Sequence, residues 1–352
     1  MSDNSPRARL AAPVLWCLAA AALFGASTPA SKMLLDDAVG PFTLAGLLYL
    51  GAGLATLPFA LRGGSATRRR DPANLRRLLG AVLFGGVLGP VALLAGLELA
   101  PAASVALWLN LETPATALLA WVFFRENLGA RAWGANAMVV AAGVLLAAPS
   151  GFSLAPAALL VVVACVCWGL DNNFTAVIDG WTPAQTTAAK GLVAGAVNLG
   201  LGAAVEGALP SAAVVGGALL VGALAYGASI VLYIRGAQQL GATRSQMIFA
   251  TAPFLGVAAA WGLLGEPVQG AQVGAAALLV GALALLLTDR HGHRHRHPAL
   301  THTHAHRHDD GHHDHVHPGL PVEAWHTHEH GHQPVEHDHP HQPDLHHRHG
   351  HG

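Results

Sequence analysis

Residues 76–124 read RRLLGAVLFGGVLGPVALLAGLELAPAASVALWLNLETPATALLAWVFF. This stretch holds two apolar runs, 76–98 and 102–124, joined by a short turn that contains Pro101. Each run is long enough to cross a bilayer, which takes about 20 mostly apolar residues. The stretch therefore predicts two consecutive transmembrane helices.

Apolar runs of this length continue in both directions along the 352-residue chain. Hydrophobic residues make up 53% of the sequence and charged residues only 11%, against about 25% in an ordinary soluble domain. One soluble core cannot hide that much apolar surface, and no linker between the runs is long enough for a soluble domain. We predict an all-α integral membrane protein with ten transmembrane helices, at residues 13–35, 41–61, 76–98, 102–124, 130–148, 154–177, 183–205, 211–234, 242–264 and 270–288.

Basic residues fall on alternate loops. Arginines lie in the loops around 62–77, 125–131 and 235–244, whereas the loops at 36–37, 206 and 266 are acidic; the loop near Asp179 has no basic residue. Because Lys and Arg accumulate on the cytoplasmic side, we predict a multi-pass protein of the inner (plasma) membrane with both termini in the cytoplasm. Arg7 and Arg9 precede an apolar run that is too long for a signal peptide, so we interpret this run as an uncleaved first span.

The two halves of the chain resemble each other. Leu23-Phe24-Gly25 parallels Cys167-Trp168-Gly169, and both Trp121 and Glu126 recur 140 residues later as Trp261 and Glu266. Five spans per half would make the halves enter the membrane in opposite directions, an inverted repeat that places a transport site near the midplane. The predicted organisation is a cytoplasmic N-terminus (1–12), two five-helix repeats (13–148 and 149–288) and a tail (289–352).

The repeated units end in an apolar span that closes on a glutamate, as in Leu111-Glu112-Thr113-Pro114…Trp121…Arg125-Glu126 and Ala252-Pro253…Trp261…Gly265-Glu266. In these segments, and in Leu23-Phe24-Gly25-Ala26-Ser27, residues 13–288 resemble the EamA-type transporters of the drug/metabolite transporter superfamily. Arg125 departs from the small residue usual before the closing glutamate. The resemblance implies an exporter of amino acids, metabolites or drugs that is driven by proton exchange.

Several polar side chains are predicted to lie at membrane depth, where they are costly and usually face a cavity or a partner. A carboxylate there can exchange protons near neutral pH, because burial disfavours its charged form. A structural role in helix packing, helix capping or snorkelling to a headgroup is the alternative for each. The candidate substrate- or proton-binding residues are Glu112, Asp171, Asn172, Asn173, Lys190, Trp108, Asn110 and Trp168; Lys32 is interpreted as a snorkelling residue.

The tail holds all 23 histidines of the chain, and from residue 291 onward it has, apart from histidine, four arginines against eight acidic residues. Its low apolar content predicts disorder. Imidazole binds zinc, nickel and cobalt, so we predict metal binding without a discrete geometry; adventitious affinity and pH-dependent charge are the alternatives. The candidate ligands are His291, His293, His295, His297, His302, His304, His306, His308, His312, His313, His315 and His317.

Three functions remain open at this stage. The first is a proton-coupled exporter of a small organic metabolite; the second is a nickel, cobalt or zinc transporter, although the spans contain no histidine. The third is a membrane protein that senses or stores metal without transporting a solute. No nucleophile–base pair or cofactor motif indicates an enzyme, no cofactor is required, and we expect the bilayer and a small molecule as partners, no nucleic acid, and an open choice between monomer and homodimer.

Overall fold

A computed structural model of the chain describes residues 6–35, 39–62, 72–124, 130–148, 156–176, 178, 181–207, 210–240, 248–287, 292–297, 300–306, 326–332 and 335–340. From the N-terminus to residue 287 its regular structure is helical. The first half contains α1 (Pro6–Gly25), α2 (Ser27–Leu34), α3 (Pro41–Arg62), α4 (Pro72–Gly80), α5 (Gly89–Leu99), α6 (Ala102–Trp108), α7 (Glu112–Phe124) and α8 (Ala130–Ala147). The second contains α9 (Pro156–Ala176), α10 (Pro183–Val205), α11 (Ala212–Val221), α12 (Ser229–Leu240), α13 (Ala252–Leu264) and α14 (Gly270–Leu287).

Seven helical stretches within the described ranges are long and apolar enough to cross a membrane. Three further apolar stretches, 133–146, 252–264 and 270–285, are shorter than that. The prediction of a helical membrane protein is thus confirmed, whereas the number of ten spans is not confirmed by the part of the chain that the structure describes. The seven stretches are 12–34, 41–62, 74–99, 102–123, 156–175, 183–205 and 212–236.

Several predicted single helices are interrupted. α1 and α2 meet at Ala26, and a short 3₁₀ turn (Leu109–Leu111) separates α6 from α7. Wider π-helical turns, Ala81–Leu88 and Gly222–Ala228, lie between α4 and α5 and between α11 and α12. Both π-helical segments contain glycine, which weakens the regular helix and allows backbone carbonyls to leave the i→i−4 ladder. The interruptions correct the expectation of continuous helices.

The helices pack closely because small residues line their contacts. α3 lies along α10, where a Cβ added to Gly191 would come within 2.6 Å of the Gly53 nitrogen. Without a hydrophobic drive between helices in lipid, such close backbone approach is a main source of association. Further pairs are α8 with α14, α5 with α9, α1 with α12, and α6 with α13.

Glutamate side chains fix the starts of two helices. Glu206 accepts hydrogen bonds from the Phe42 and Thr43 nitrogens at 2.8 and 3.0 Å, at the start of α3. Glu266 does the same for Ala102 and Ala103 at 2.7 and 3.0 Å, at the start of α6. A carboxylate suits a helix N-terminus, whose first N–H groups have no partner within the helix. Glu266, which closes the second repeated unit in the sequence, thus caps the start of α6; Glu126 lies outside the described residues.

The tail contains four short strands, β1 (Gly292–His297), β2 (Leu300–His306), β3 (His326–His332) and β4 (Val335–Pro340). β1 pairs with β4 and β2 with β3, both antiparallel. Over these segments the backbone differs from the predicted disorder. The alternation of histidine with other residues matches the two-residue period of a strand, and amino-acid composition alone does not contain this order.

Candidate functional site

A cavity of about 260 Å³ lies among the helices, lined by residues of α1, α3, α7, α9, α10 and α12 and of the π-helical segment Gly222–Ala228, together with Phe249. Five of the eight predicted site residues line it: Glu112, Trp168, Asp171, Asn172 and Lys190. They come from α7, α9 and α10, so residues up to 78 positions apart meet in one place. The remaining lining is largely aromatic and small apolar side chains.

An ion pair forms one side of the cavity. The Lys190 Nζ lies 2.6 Å from the Asp171 Oδ2, with side chains 18% and 7% exposed. Thr175, one turn further along α9, donates its hydroxyl to the other Asp171 oxygen at 3.1 Å. Because both partners are largely removed from solvent, each neutralises a charge that would otherwise be costly at this depth. Lys190, predicted to lie at membrane depth, thus has a carboxylate partner in Asp171.

Glu112 faces the same cavity from the start of α7. Its Oε1 accepts a hydrogen bond from the Asn172 Nδ2 at 2.7 Å, and Asn172 also reaches the Thr116 hydroxyl at 3.4 Å. Within the described residues, no ion pair involves Glu112; the described ion pair is Lys190 with Asp171. Glu112 is therefore held in position by an amide, and none of the described cations forms an ion pair with it.

The π-helical segment Ala81–Leu88 lies against the polar side chains of the cavity and helps to position them. Its Gly85 carbonyl accepts hydrogen bonds from the Tyr49 hydroxyl and, at 3.1 Å, from the Trp168 indole. A Cβ on Gly85 would lie 2.0 Å from the Asp171 Oδ2, so only glycine leaves room for that carboxylate. Asn198 donates to the next carbonyl, that of Gly86, at 2.9 Å. The π-turn thus offers carbonyl groups to side chains of α3, α9 and α10.

Five aromatic rings, which we call the aromatic wall, line the cavity as a continuous series. Tyr49 contacts Tyr226 (centroids 5.8 Å apart), and Tyr226 contacts Phe24 (5.9 Å). Phe24 contacts Phe249 (5.4 Å), which contacts Tyr233 (5.1 Å). All five rings line the cavity, and they include all three tyrosines of the chain.

The other predicted site residues have structural contacts. Trp108 is buried and donates its indole N–H to the Gly143 carbonyl at 3.2 Å, which joins α6 to α8. Asn173 is buried between α9 and α7, with bonds to the Gly169 and Thr116 carbonyls at 2.7 and 3.4 Å. Asn110 bonds the Leu107 carbonyl at 3.0 Å and, with Glu112, lines a smaller cavity of about 120 Å³.

Two further predictions concern residues away from the cavity. Lys32 donates to the carbonyls of Leu97, Glu98 and Ala100 at the end of α5 and so caps the C-terminus of that helix. Its position near a headgroup stays a prediction. Metal binding by the tail histidines stays a prediction, because the structure describes none of their side chains. Among the side chains that it does describe, no group of three His, Cys, Asp or Glu residues is close enough to hold a metal ion.

Sequence reasoning missed the aromatic wall and Gly85. Phe24, Tyr49, Tyr226, Tyr233 and Phe249 look like ordinary apolar residues within spans. A usable signal was present, since the chain has only three tyrosines and all of them fall inside predicted spans. Gly85 carries no signal of its own among 41 glycines.

Comparison with known proteins gives one family. The model of the EamA-like transporter family matches residues 11–148 and again residues 155–288. No curated protein matches the chain. A solved structure titled "Crystal structure of protein" aligns with 79% of this chain and 97% of its own, with a TM-score of 0.58 and 21% identity, which indicates a similar fold and no more.

Proposed function

The chain belongs to the EamA-like transporter family, and from that premise we propose that it exports a small organic metabolite, amino acid or drug in exchange for protons. The observation that carries the proposal is the cavity in which Glu112, held by Asn172, faces the Asp171–Lys190 pair. An enclosed site with a few convergent polar groups is the usual form of a small-molecule site. The transport site in this proposal is that cavity.

We further propose ten spans arranged as two inverted five-helix halves, with both termini in the cytoplasm. The packing supports this arrangement, because contacts occur in equivalent sets. α5 with α9 is matched by α12 with α1, and α7 with α9 is matched by α13 with α1. The π-helical segments, Ala81–Leu88 and Gly222–Ala228, also fall in equivalent spans. An inverted repeat provides the two related conformations that alternating access requires.

Glu112 is the proposed proton carrier. It is the carboxylate of the cavity that lacks a cationic partner within the described residues, whereas Asp171 is paired with Lys190. A carboxyl group without a fixed counter-ion in a poorly solvated site can exchange between proton and substrate. Proton binding and substrate binding at Glu112 would then exclude each other, which couples their movements.

Transport by the purified protein in proteoliposomes tests this function. A panel of labelled amino acids, organic cations and organic acids is offered with a pH gradient across the membrane. We expect at least one solute to accumulate against its gradient, and Glu112→Gln to abolish proton-driven accumulation. Glu98→Gln is the matched control, since Glu98 is exposed and lies outside the cavity. Absence of flux for the whole panel, or undiminished proton-driven flux in Glu112→Gln, would contradict the proposal.

A second candidate function, metal binding by the tail, is favoured by the strand register. In the β2–β3 pair, His302, His304 and His306 lie directly opposite His330, His328 and His326. In the β1–β4 pair, His293 and His295 lie opposite His339 and His337. Directly opposite residues of an antiparallel pair are about 4.5–5.5 Å apart at Cβ, and imidazole suits zinc, nickel and cobalt. We propose that these register positions form the metal site of the tail.

Metal content of the full-length protein after equilibration with Zn²⁺, Ni²⁺ or Co²⁺ and desalting tests this site. Truncation after Asp289 is expected to remove the bound metal. Replacing His302, His304 and His306 by Ala should remove more metal than replacing three tail histidines that belong to neither described strand pair, His308, His312 and His313. Equal losses from the two triple variants would mean that the tail binds metal without the proposed pairing. Cellular metal content with and without the tail then separates export of metal from storage.

A further inference from the structure

We infer that the cavity binds a small organic monocation with a hydrophobic body. The inference rests on the proposed transport function and names its substrate class. It follows from the charge balance of the cavity, from the aromatic rings that line it and from its size.

Among the described residues, the charged groups that line the cavity are two carboxylates and one ammonium group. Asp171 and Lys190 neutralise each other at 2.6 Å. The partner described for Glu112 is the uncharged amide of Asn172. When Glu112 is ionised, the cavity therefore has one uncompensated negative charge, and a bound monocation balances it. A substrate with a free carboxylate would have to displace Asp171 from Lys190 and would lie near two like charges, which is costly in a poorly solvated site.

The aromatic wall also favours a cationic substrate. The Tyr49–Tyr226–Phe24–Phe249–Tyr233 series places five aromatic rings on a cavity that is also lined by Glu112. Aromatic faces attract cations through the ring quadrupole, most strongly where water is excluded, and they also bury apolar substituents. A metal ion or an inorganic cation would gain little from such a wall. A substituted ammonium group with an aromatic or branched alkyl body uses both features.

The size of the cavity limits the solute. At about 260 Å³, it is somewhat smaller than the range of about 300–1,000 Å³ that is typical of drug-sized sites. The substrate is therefore expected to have one charged group and no more than a ring or a few alkyl groups attached to it.

Calorimetric titration of the full-length protein in detergent tests the inference with four probes that share a benzyl group. They are benzyltrimethylammonium, benzyl alcohol, phenylacetate and phenylalanine. We expect benzyltrimethylammonium to bind best. Glu112→Gln should weaken its binding about tenfold or more, since the balancing charge is lost. Glu98→Gln should leave it unchanged.

A second pair of variants tests the wall separately from the charge. Tyr226→Leu is expected to weaken the cation severalfold, whereas Tyr226→Phe, which keeps the ring, should restore most of the affinity. Affinity that is equal in the leucine and phenylalanine variants would overturn the role of the ring.

Three outcomes would overturn the substrate class. They are tightest binding of phenylacetate or phenylalanine with loss in Lys190→Met, equal binding of the cation in the wild type and Glu112→Gln, and no binding of the cation at all. The proteoliposome panel distinguishes these failures from failure of the proposed function. Proton-driven flux of an acid or amino acid would support the proposed transport function but contradict the cationic substrate class. Absence of all flux would contradict the transport function itself.

Discussion

Gly85 is the residue on which the polar side of the cavity depends most directly. Its carbonyl accepts from Tyr49 and Trp168, and the absence of its side chain makes room for Asp171. Two requirements therefore fall on one position: a freed carbonyl and an open space beside it. The first comes from the π-turn, and the second only from glycine.

Gly85→Ala is expected to disturb the site, because the new Cβ would meet the Asp171 carboxylate at 2.0 Å. Inserting a methyl group into a packed interior usually costs about 1–3 kcal/mol. Gly216→Ala is the matched control, since no atom lies within 4 Å of its added Cβ. Unfolding in detergent measures both variants, and ligand affinity should fall only in Gly85→Ala. Equal stability and affinity in the two would show that Asp171 does not need this space.

The Asp171–Lys190 pair predicts non-additive behaviour. Removing one partner of a buried ion pair typically costs about 3–5 kcal/mol, because the other charge stays unpaired. We therefore expect Asp171→Asn and Lys190→Met each to destabilise the protein strongly, and the double variant to be much less destabilised than their sum. Denaturant unfolding of the four proteins gives the coupling energy. Strict additivity would contradict the pairing at 2.6 Å.

Charged residues of the site were predictable from the sequence, whereas aromatic ones were not. Glu112, Asp171 and Lys190 stand out because ionisable groups within spans are rare and need a partner. Phe24 and Tyr226 do not stand out in the sequence. An aromatic residue within a span can face lipid, a neighbouring helix or a cavity, and its local sequence does not distinguish these three environments. Only the packing of α1 against the π-helical segment before α12 brings those two rings together.

At the level of helices, glutamates at the ends of α10 and α13 anchor other helices. Glu206 and Glu266 each accept two backbone N–H groups at the starts of α3 and α6, respectively. Both of those starts carry a proline that already lacks an N–H, Pro41 and Pro101. The carboxylate therefore accepts hydrogen bonds from the next two N–H groups, which have no partner within their own helix. It joins two distant segments without replacing a hydrogen bond of either helix.

Glu206→Ala and Glu266→Ala are each expected to lower the free energy of unfolding by about 1 kcal/mol, the usual value of a lost helix cap. Because the two carboxylates have separate partners, the losses should add in the double variant. Glu98→Ala is the control, since the Glu98 side chain is exposed and caps no described helix. Thermal or denaturant unfolding in detergent measures all four. Values near zero for both caps would mean that water or lipid headgroups replace the glutamates without loss.

Helix existence was predictable, but helix interruptions were not. Each interrupted stretch has the apolar length of a continuous span, so hydropathy alone predicts one helix. The π-turn Ala81–Leu88 is stabilised by donors from Tyr49, Trp168 and Asn198, which lie on other helices. Such a break is set by tertiary partners, and a sequence window cannot contain them.

For the whole molecule, the equivalent packing of the two halves makes a prediction about sides of the membrane. The loop between α3 and α4 and the loop between α10 and α11 occupy equivalent places in the two halves. In a parallel repeat they would lie on the same side, whereas in an inverted repeat they lie on opposite sides. Their sidedness therefore decides between the two arrangements without reference to any substrate.

Single cysteines at Ser65 and Ala208, one in each loop, test this prediction in intact cells with a membrane-impermeant maleimide. The three native cysteines are buried, so background labelling should be low. The arginines at 62–70 predict a cytoplasmic position for the first loop. We expect Ala208→Cys to react from outside and Ser65→Cys only after permeabilisation. The same accessibility for both positions would require an even number of spans between the two loops. The two halves would then not form an inverted repeat, and alternating access at this cavity would lose its physical basis.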